Sequence, residues 1–265
     1  MIRYFTFAIL LMAGMVFAQQ SAFEVVSIKP NHSVSDGASI GPRGSEFVAT
    51  NATLNMLIFF AYAPLRTEQI LNAPDWARTD RYDVEAKPPG DGFLPPIAQL
   101  RSMTQSLLAN SFQLKSHRET RDLPVYNLIV TKAGPKRSAD QTPPDPHQSF
   151  ISFVTEGSPM TALPRGATRI VAGPGTTTLT GTAISIDKII PTLQSRSDRI
   201  IIDKTGLTEL IDVQLTFRQD LASDPADPSI PSLFTAIQEI GLKLEPSKAP
   251  LEVLVIDHAQ HPPAN

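Results

Sequence analysis

The chain of 265 residues contains 23 Lys and Arg against 26 Asp and Glu, 42% hydrophobic residues and no cysteine. The near balance of charge argues against a nucleic-acid-binding protein, and the lack of thiols excludes cysteine catalysis, disulfide exchange and zinc–thiolate sites. The hydrophobic fraction is typical of a globular protein, and the length allows one large domain or two small ones.

Residues 1–18 have the layout of a secretory signal peptide. Arg3 precedes an apolar run, and Val16 and Ala18 occupy the positions that signal peptidase reads before a cleavage at Gln19. The run is shorter than the ~20 apolar residues that span a bilayer, which disfavours the alternative of an uncleaved anchor helix. We therefore expect an exported protein, periplasmic or extracellular, with no membrane span after cleavage.

Residues 19–133 are predicted to form a first α+β unit. In chain order, the expected elements are strands over 23–30 and 46–52, a helix over 54–62 capped by Thr53, a strand over 81–86, a helix that begins at Pro95-Pro96, and a hairpin of strands over 112–115 and 125–130. The second helix places its apolar residues on one face, which predicts that it packs against a sheet.

Residues 178–258 repeat this order as a second α+β unit. The expected elements are a strand over 178–184, a helix capped by Ser185, a strand over 209–215, a helix that begins at Pro231 and ends at Gly241, and a hairpin of strands over 242–245 and 251–256. Pro191 is a misfit that kinks or delays the first of these helices. Residues 134–177 are predicted as a linker with an extra strand over 150–154, and 259–265 as a loose tail.

Each half thus follows the order β-α-β-α-β-β, with Asp212-Val213 at the position of Asp83-Val84. This pattern predicts an α+β fold in which helices pack on a mostly antiparallel sheet in each half. The identical order favours an internal duplication over chance similarity of short elements.

Several segments together resemble one family. They are Phe-Glu-Val-Val-Ser-Ile-Lys-Pro over 23–30, Ala-Pro-Asp-Trp over 73–76 leading to Arg-Tyr-Asp-Val over 81–84, Ile-Asp-Lys-Thr-Gly-Leu over 202–207, and Val-Ile-Asp-His over 255–258. The chain resembles a soil-associated family of exported bacterial proteins of unknown function, expanded in acidobacteria. The resemblance implies no catalytic residues. Related domains on membrane peptidases of the beta-lactam-sensor type imply sensing or binding.

Three motifs invite a catalytic or metal-binding interpretation that their context disfavours. Ser39 lies in a G-x-S-x-G sequence, but Gly41-Pro42 follows instead of the helix that a nucleophile elbow requires. Asp203-Lys204-Thr205-Gly206 is typical of a phosphorylated aspartate loop, yet a strand that enters a turn explains it in an exported chain. His258 and His261 on a proline-ended tail make a poor metal cage. The sequence predicts no cofactor and no metal.

Five residues remain as candidate ligand or partner contacts: Trp76, Tyr82, Asp83, Asp203 and Asp257. Trp76 offers an aromatic contact, or alternatively a core plug between helix and sheet. The preferred function is a non-catalytic binding or sensing module outside the cytoplasm that binds an envelope protein or peptide by β-addition. The alternatives are an extracytoplasmic hydrolase that uses acids such as Asp83, Asp203 and Asp257, and a structural envelope component.

Overall fold

The computed structural model describes residues 22–33, 37–90, 93–148, 150–155, 162–173, 175–218 and 229–263. The predicted signal peptide lies outside these ranges. The described residues form two compact units: unit 1 comprises Met1–Arg118 with Leu254–Asn265, and unit 2 comprises Glu119–Val253. Helices and mostly antiparallel sheets are present in the chain, which confirms the predicted α+β class. Within the described ranges, no helix is both long and apolar enough to cross a membrane.

Unit 1 is built on one four-stranded sheet with helices against it. Its elements are β1 (Val25–Pro30), β2 (Ser39–Arg43), β3 (Glu46–Thr53), α1 (Leu54–Ala61), β4 (Ile70–Leu71), α2 (Trp76–Thr79), β5 (Arg81–Lys87) and α3 (Ile97–Ser111). The sheet has the order β1-β5-β3-β2, and its strand pairs are antiparallel. Thr53 caps α1 as predicted, because its hydroxyl accepts a hydrogen bond from the Met56 amide at 3.3 Å. Leu54 and Leu57 of α1 pack with Phe47 and Phe112 in the core.

Unit 2 has a sheet of the same size. Its elements are the larger part of β6 (Lys115–Val130), β7 (Ile151–Thr155), β8 (Thr168–Gly173), β9 (Thr176–Ile184), α4 (Ile190–Gln194), β10 (Ile200–Asp203), β11 (Ile211–Arg218), α5 (Leu233–Glu239) and the larger part of β12 (Leu242–His258). The sheet order is β11-β9-β8-β7, and only the β7–β8 pair in it is parallel among the described strands. Pro191 lies in the first turn of α4, after a 3₁₀ turn over Ile186–Lys188, so the helix is delayed as expected.

Two of the sequence predictions are wrong in this part of the chain. The predicted hairpins over 112–130 and 242–256 are single long strands, β6 and β12, which are neighbours in a sheet of order β10-β6-β12-β4. Pro124, Pro246 and Pro250 lie within these strands at exposed positions, where a missing amide donor is tolerated. Segment 134–177 is also more than a linker, since it supplies β8 as well as the predicted β7.

The contact-defined units differ from the sequence-based boundaries at the end of the chain. The sequence assigns 178–258 to one unit and leaves a loose tail after it. In the structure, residues from Leu254 onward belong to unit 1, where Leu254 and Val255 pair with β4. The Gln260 amide donates to the Phe112 carbonyl at 2.7 Å, so the described start of the tail is hydrogen-bonded to unit 1.

One local arrangement occurs in both units. In unit 1, Asp83 of β5 accepts the amide of Asn51, a positive-φ residue (54°) at an irregularity of β3. In unit 2, Asp212 of β11 accepts the amide of Ala183, a positive-φ residue (49°) at an irregularity of β9. Both aspartates were aligned by the sequence repeat. The arrangement is what a duplication predicts, and the duplication stays a prediction.

Candidate functional site

Two of the five predicted contact residues lie together in unit 1. Trp76 begins α2 and is half-buried against the core, and its ring lies 4.1 Å from that of His261. Tyr82 of β5 is 3% exposed, and its hydroxyl is 3.0 Å from Nδ1 of His261. The tail residue His261 therefore joins Trp76 and Tyr82 in one aromatic cluster.

A cavity of about 430 Å³ opens beside this cluster. Its polar lining residues are Asn31, His32, Thr79, Asp80, Arg81, Tyr82 and His261. Asp80 Oδ2 lies 3.7 Å from Nδ1 of His261. Burial, with a smaller contribution from the negative charge of Asp80, raises the pKa of Tyr82 above its usual value. The shift favours the neutral hydroxyl, which is the form that can donate a hydrogen bond to Nδ1 of His261.

The side chain of Asp83 is hydrogen-bonded within unit 1. One of its oxygens accepts hydrogen bonds from the Asn51 amide and from Nδ2 of Asn31, both at 2.8 Å. These bonds fix the irregular part of β3 and the end of β1 beside β5. The position of Asp83 is explained by its role in holding backbone, without a ligand.

The other two predicted acids also have local partners. Asp203, at the end of β10 in unit 2, accepts bonds from the Thr205 amide at 2.8 Å and hydroxyl at 2.7 Å, which forms the turn expected from its sequence. Asp257, near the end of β12 in unit 1, has both carboxylate oxygens 3.0 Å from Nδ1 of His117 at an exposed position. Ser39, the elbow candidate, lies on β2 in a hairpin with β3 rather than at a strand-to-helix turn.

The most unusual surface of unit 2 is the edge strand β7, whose exposure the sequence did not show. β7 is the outer strand of its sheet, and its described residues carry no charge. Phe153 is 75% exposed, and Phe150 and Ile151 are also exposed. Natural edge strands are usually short, charged or covered, because an apolar edge templates the pairing of other chains.

Phe153 is the exposed end of a row of apolar side chains that is otherwise buried or half-buried. Leu215 of β11, Leu179 of β9, Ile170 of β8 and Phe153 of β7 are successive cross-strand neighbours on one face of the sheet. Leu215 and Leu179 are buried in one core cluster with Leu233 and Ile237 of α5, Ile170 is half-buried, and Phe153 is exposed. The apolar face of the sheet therefore extends beyond its covering helices at the β7 edge.

A cleft of about 260 Å³ lies on this uncovered face. It is lined by Ile151, Phe153, Ile170, Ala172, Thr177, Pro191, Thr192, Ser195 and Arg196. The hydrogen bond from the Thr168 amide to the Phe150 carbonyl, at 2.9 Å, shows which main-chain groups of β7 face β8. Because main-chain direction alternates along a strand, the amide and carbonyl of Phe153 point away from β8, toward the side of β7 on which no described strand lies.

Comparison with known proteins gives one match. A family model described as Protein of unknown function (DUF3738) matches residues 55–259. The matched range includes Trp76, Tyr82, β7 and β8. No curated protein and no solved structure matches the chain.

Proposed function

The chain belongs to the DUF3738 family, whose function is unknown, and from that premise we propose that it is a non-catalytic extracytoplasmic binding module that takes up an extended peptide or partner strand at the edge of β7. The observation that carries the proposal is the uncharged edge strand with Phe153 75% exposed.

Strand addition fits the chemistry of this edge. An incoming strand pairs with outward main-chain groups such as those of Phe153, and these bonds supply affinity that is independent of sequence. Specificity comes from alternate side chains, because every second residue of the partner points to the same face. On the apolar face of unit 2, such residues would cover Phe153 and enter the cleft beside Ile170. We therefore expect a partner strand with alternating aliphatic side chains.

The extracytoplasmic location is supported by the sequence of residues 1–18 and by the resemblance to an exported, soil-associated family with relatives on sensor peptidases. Amino-terminal sequencing of the protein purified from the envelope of its native cells tests this part, and a mature chain that begins at Gln19 is expected. A cytosolic protein that still begins at Met1 refutes it.

Strand addition is tested with a fluorescein-labelled peptide of alternating Val and Thr, flanked by Lys, and with the same peptide N-methylated at every Val and Thr. Fluorescence anisotropy should show binding of the first peptide only, because full N-methylation removes the donors of both edges of the peptide. Equal binding of both peptides, or binding of neither, refutes the proposal.

Variants locate the binding to β7. Phe153→Pro removes the outward amide and the ring, and binding should be lost. Phe153→Ala keeps the amide and should weaken binding about 10- to 150-fold, because the loss of a buried apolar side chain costs about 1.5–3 kcal/mol. Val25→Ala is the matched control, since Val25 is also exposed (58%) on an edge strand, β1. A control variant that weakens binding as much as Phe153→Ala contradicts the location.

A further inference from the structure

A second cleft lies in unit 1, on α1. It has a volume of about 310 Å³ and is lined by Ile40, Asn55, Met56, Phe59, Phe60, Ala63, Thr67 and Arg101. Met56 and Phe59 are 36% and 40% exposed, although they lie in a well-packed helix. Phe60 forms the cleft wall and packs on the core residue Phe47, with ring centroids 5.1 Å apart.

Two polar groups in the wall of this cleft lack partners. Oδ1 of Asn55 and Nε of Arg101 are buried and have no hydrogen-bond partner among the residues that the structure describes. Asn55 as a whole is 9% exposed. Buried polar groups are nearly always hydrogen-bonded in native proteins, so the unpaired nitrogen of Arg101, a residue of the cleft lining, marks an arginine that lacks an acceptor.

The charge of the cleft limits the kind of ligand. Arg101 is the one charged residue in the described lining, and the guanidinium donates hydrogen bonds but accepts none. An anionic acceptor therefore fits, and a carboxylate forms the strongest such pair with arginine.

We propose that this cleft binds a small amphiphilic carboxylate, whose head group pairs with Arg101 and whose hydrocarbon part packs on Met56, Phe59 and Phe60. The volume is at the lower end of known ligand pockets and about twice that of a cavity that holds benzene. A chain of about eight carbons matches this size. The site is independent of the β7 edge.

Isothermal titration of the purified protein with octanoate, octan-1-ol and octylammonium tests the proposal. Octanoate is expected to bind about tenfold more tightly than the alcohol, because a charge-assisted hydrogen bond replaces a neutral one. Octylammonium should not bind. Equal affinity for all three, or no binding of octanoate, overturns the proposal.

Two variants assign the binding to these residues. Arg101→Gln should remove the preference for octanoate over octan-1-ol, whereas Arg78→Gln, which changes an exposed arginine outside the cleft, should keep it. Met56→Glu places a carboxylate in the cleft and should abolish octanoate binding.

Met56→Glu also distinguishes a loss of octanoate binding at the site from a loss caused by misfolding. Met56 is three residues after the cap Thr53, where glutamate completes a capping box that supports α1. The variant should therefore unfold at the same temperature as the parent protein or higher. Retention of octanoate binding by a folded Met56→Glu protein refutes the proposed site.

Discussion

Gly241→Ala tests the packing of the turn between α5 and β12. Gly241 has φ of 79°, and a methyl group built on it lies 1.9 Å from the Gly134 carbonyl oxygen and 2.7 Å from the Pro135 nitrogen. Both neighbours are backbone atoms, so the turn over 131–135 has to move. That turn is held by hydrogen bonds from the amide and the hydroxyl of Thr131 to the Gly241 carbonyl, at 3.0 and 3.1 Å.

The expected cost adds two effects. A left-handed backbone costs an alanine about 1–2 kcal/mol. Loss of the two bonds from Thr131 adds about 1 kcal/mol each, which gives a loss of about 3–4 kcal/mol in the free energy of unfolding. Gly206→Ala is the matched control in the same unit: its φ is 65°, but nothing lies within 4 Å of the added methyl group. It should cost only the backbone strain of about 1–2 kcal/mol.

Urea unfolding followed by far-ultraviolet circular dichroism measures both variants. If Gly241→Ala costs no more than Gly206→Ala, the close approach of Gly241 to the turn does not contribute to stability, and the reasoning fails.

Three further predictions concern unit 1. Gln113→Gly should stabilise the protein by about 1 kcal/mol, because the exposed Gln113 has φ of 49° just after α3 and glycine favours this conformation. Urea unfolding measures the change, and a destabilised variant contradicts the prediction. Asp83→Ala should lower the free energy of unfolding by about 2–3 kcal/mol, because the hydrogen bonds from Asn31 and Asn51 are lost. Asp83→Asn should lower it less, since an amide oxygen still accepts. Equal losses for the two variants argue against a role of the hydrogen bonds. The pKa of Tyr82 is raised above 10.0 in the folded protein, so above pH 10 the tyrosine loses its proton more readily in the unfolded chain. The contribution of Tyr82 to the free energy of unfolding is therefore full below pH 10 and is lost as pH rises through the folded pKa. The unfolding free energy measured by urea titration should fall above pH 10, and Tyr82→Phe should flatten that fall; an unchanged slope refutes the assignment.

Elements with local signals were predictable from the sequence. Thr53 caps α1 because a hydroxyl at that position reaches an amide three residues later, which depends on nothing distant. Pro191 delays α4 for a similar reason, since a proline is accommodated in the first turn of a helix. The turn at Asp203 follows from the bond of its own side chain to Thr205.

The long strands were not predictable from local composition. The predicted hairpins placed one turn between residues 115 and 125 and another over 246–250, whereas pairing between β6 and β12 keeps both segments extended. Such pairing joins residues more than a hundred positions apart. The local sequence cannot show whether a partner strand will compensate for a missing amide donor.

The candidate site residues were also predictable only where the signal is local in the sequence. Trp76 and Tyr82 were identified by residue type, but His261 was placed in a loose tail, because its contact with Tyr82 spans 179 positions. The strand of Phe153 was predicted and its edge position was not, since sheet order depends on the whole unit. The cleft on α1 did leave a sequence signal: the helix Leu54–Ala61 is apolar on nearly all sides, which is more than one buried face requires.

The division of β12 between the two units has a consequence for biosynthesis. Among the described strands, β4 pairs with Leu254 and Val255, although the rest of unit 1 is encoded more than a hundred residues earlier. During synthesis, the early part of the chain must wait for these late residues before its fold is complete. A stop codon a dozen positions from the end should therefore damage the portion of the protein that is synthesised first.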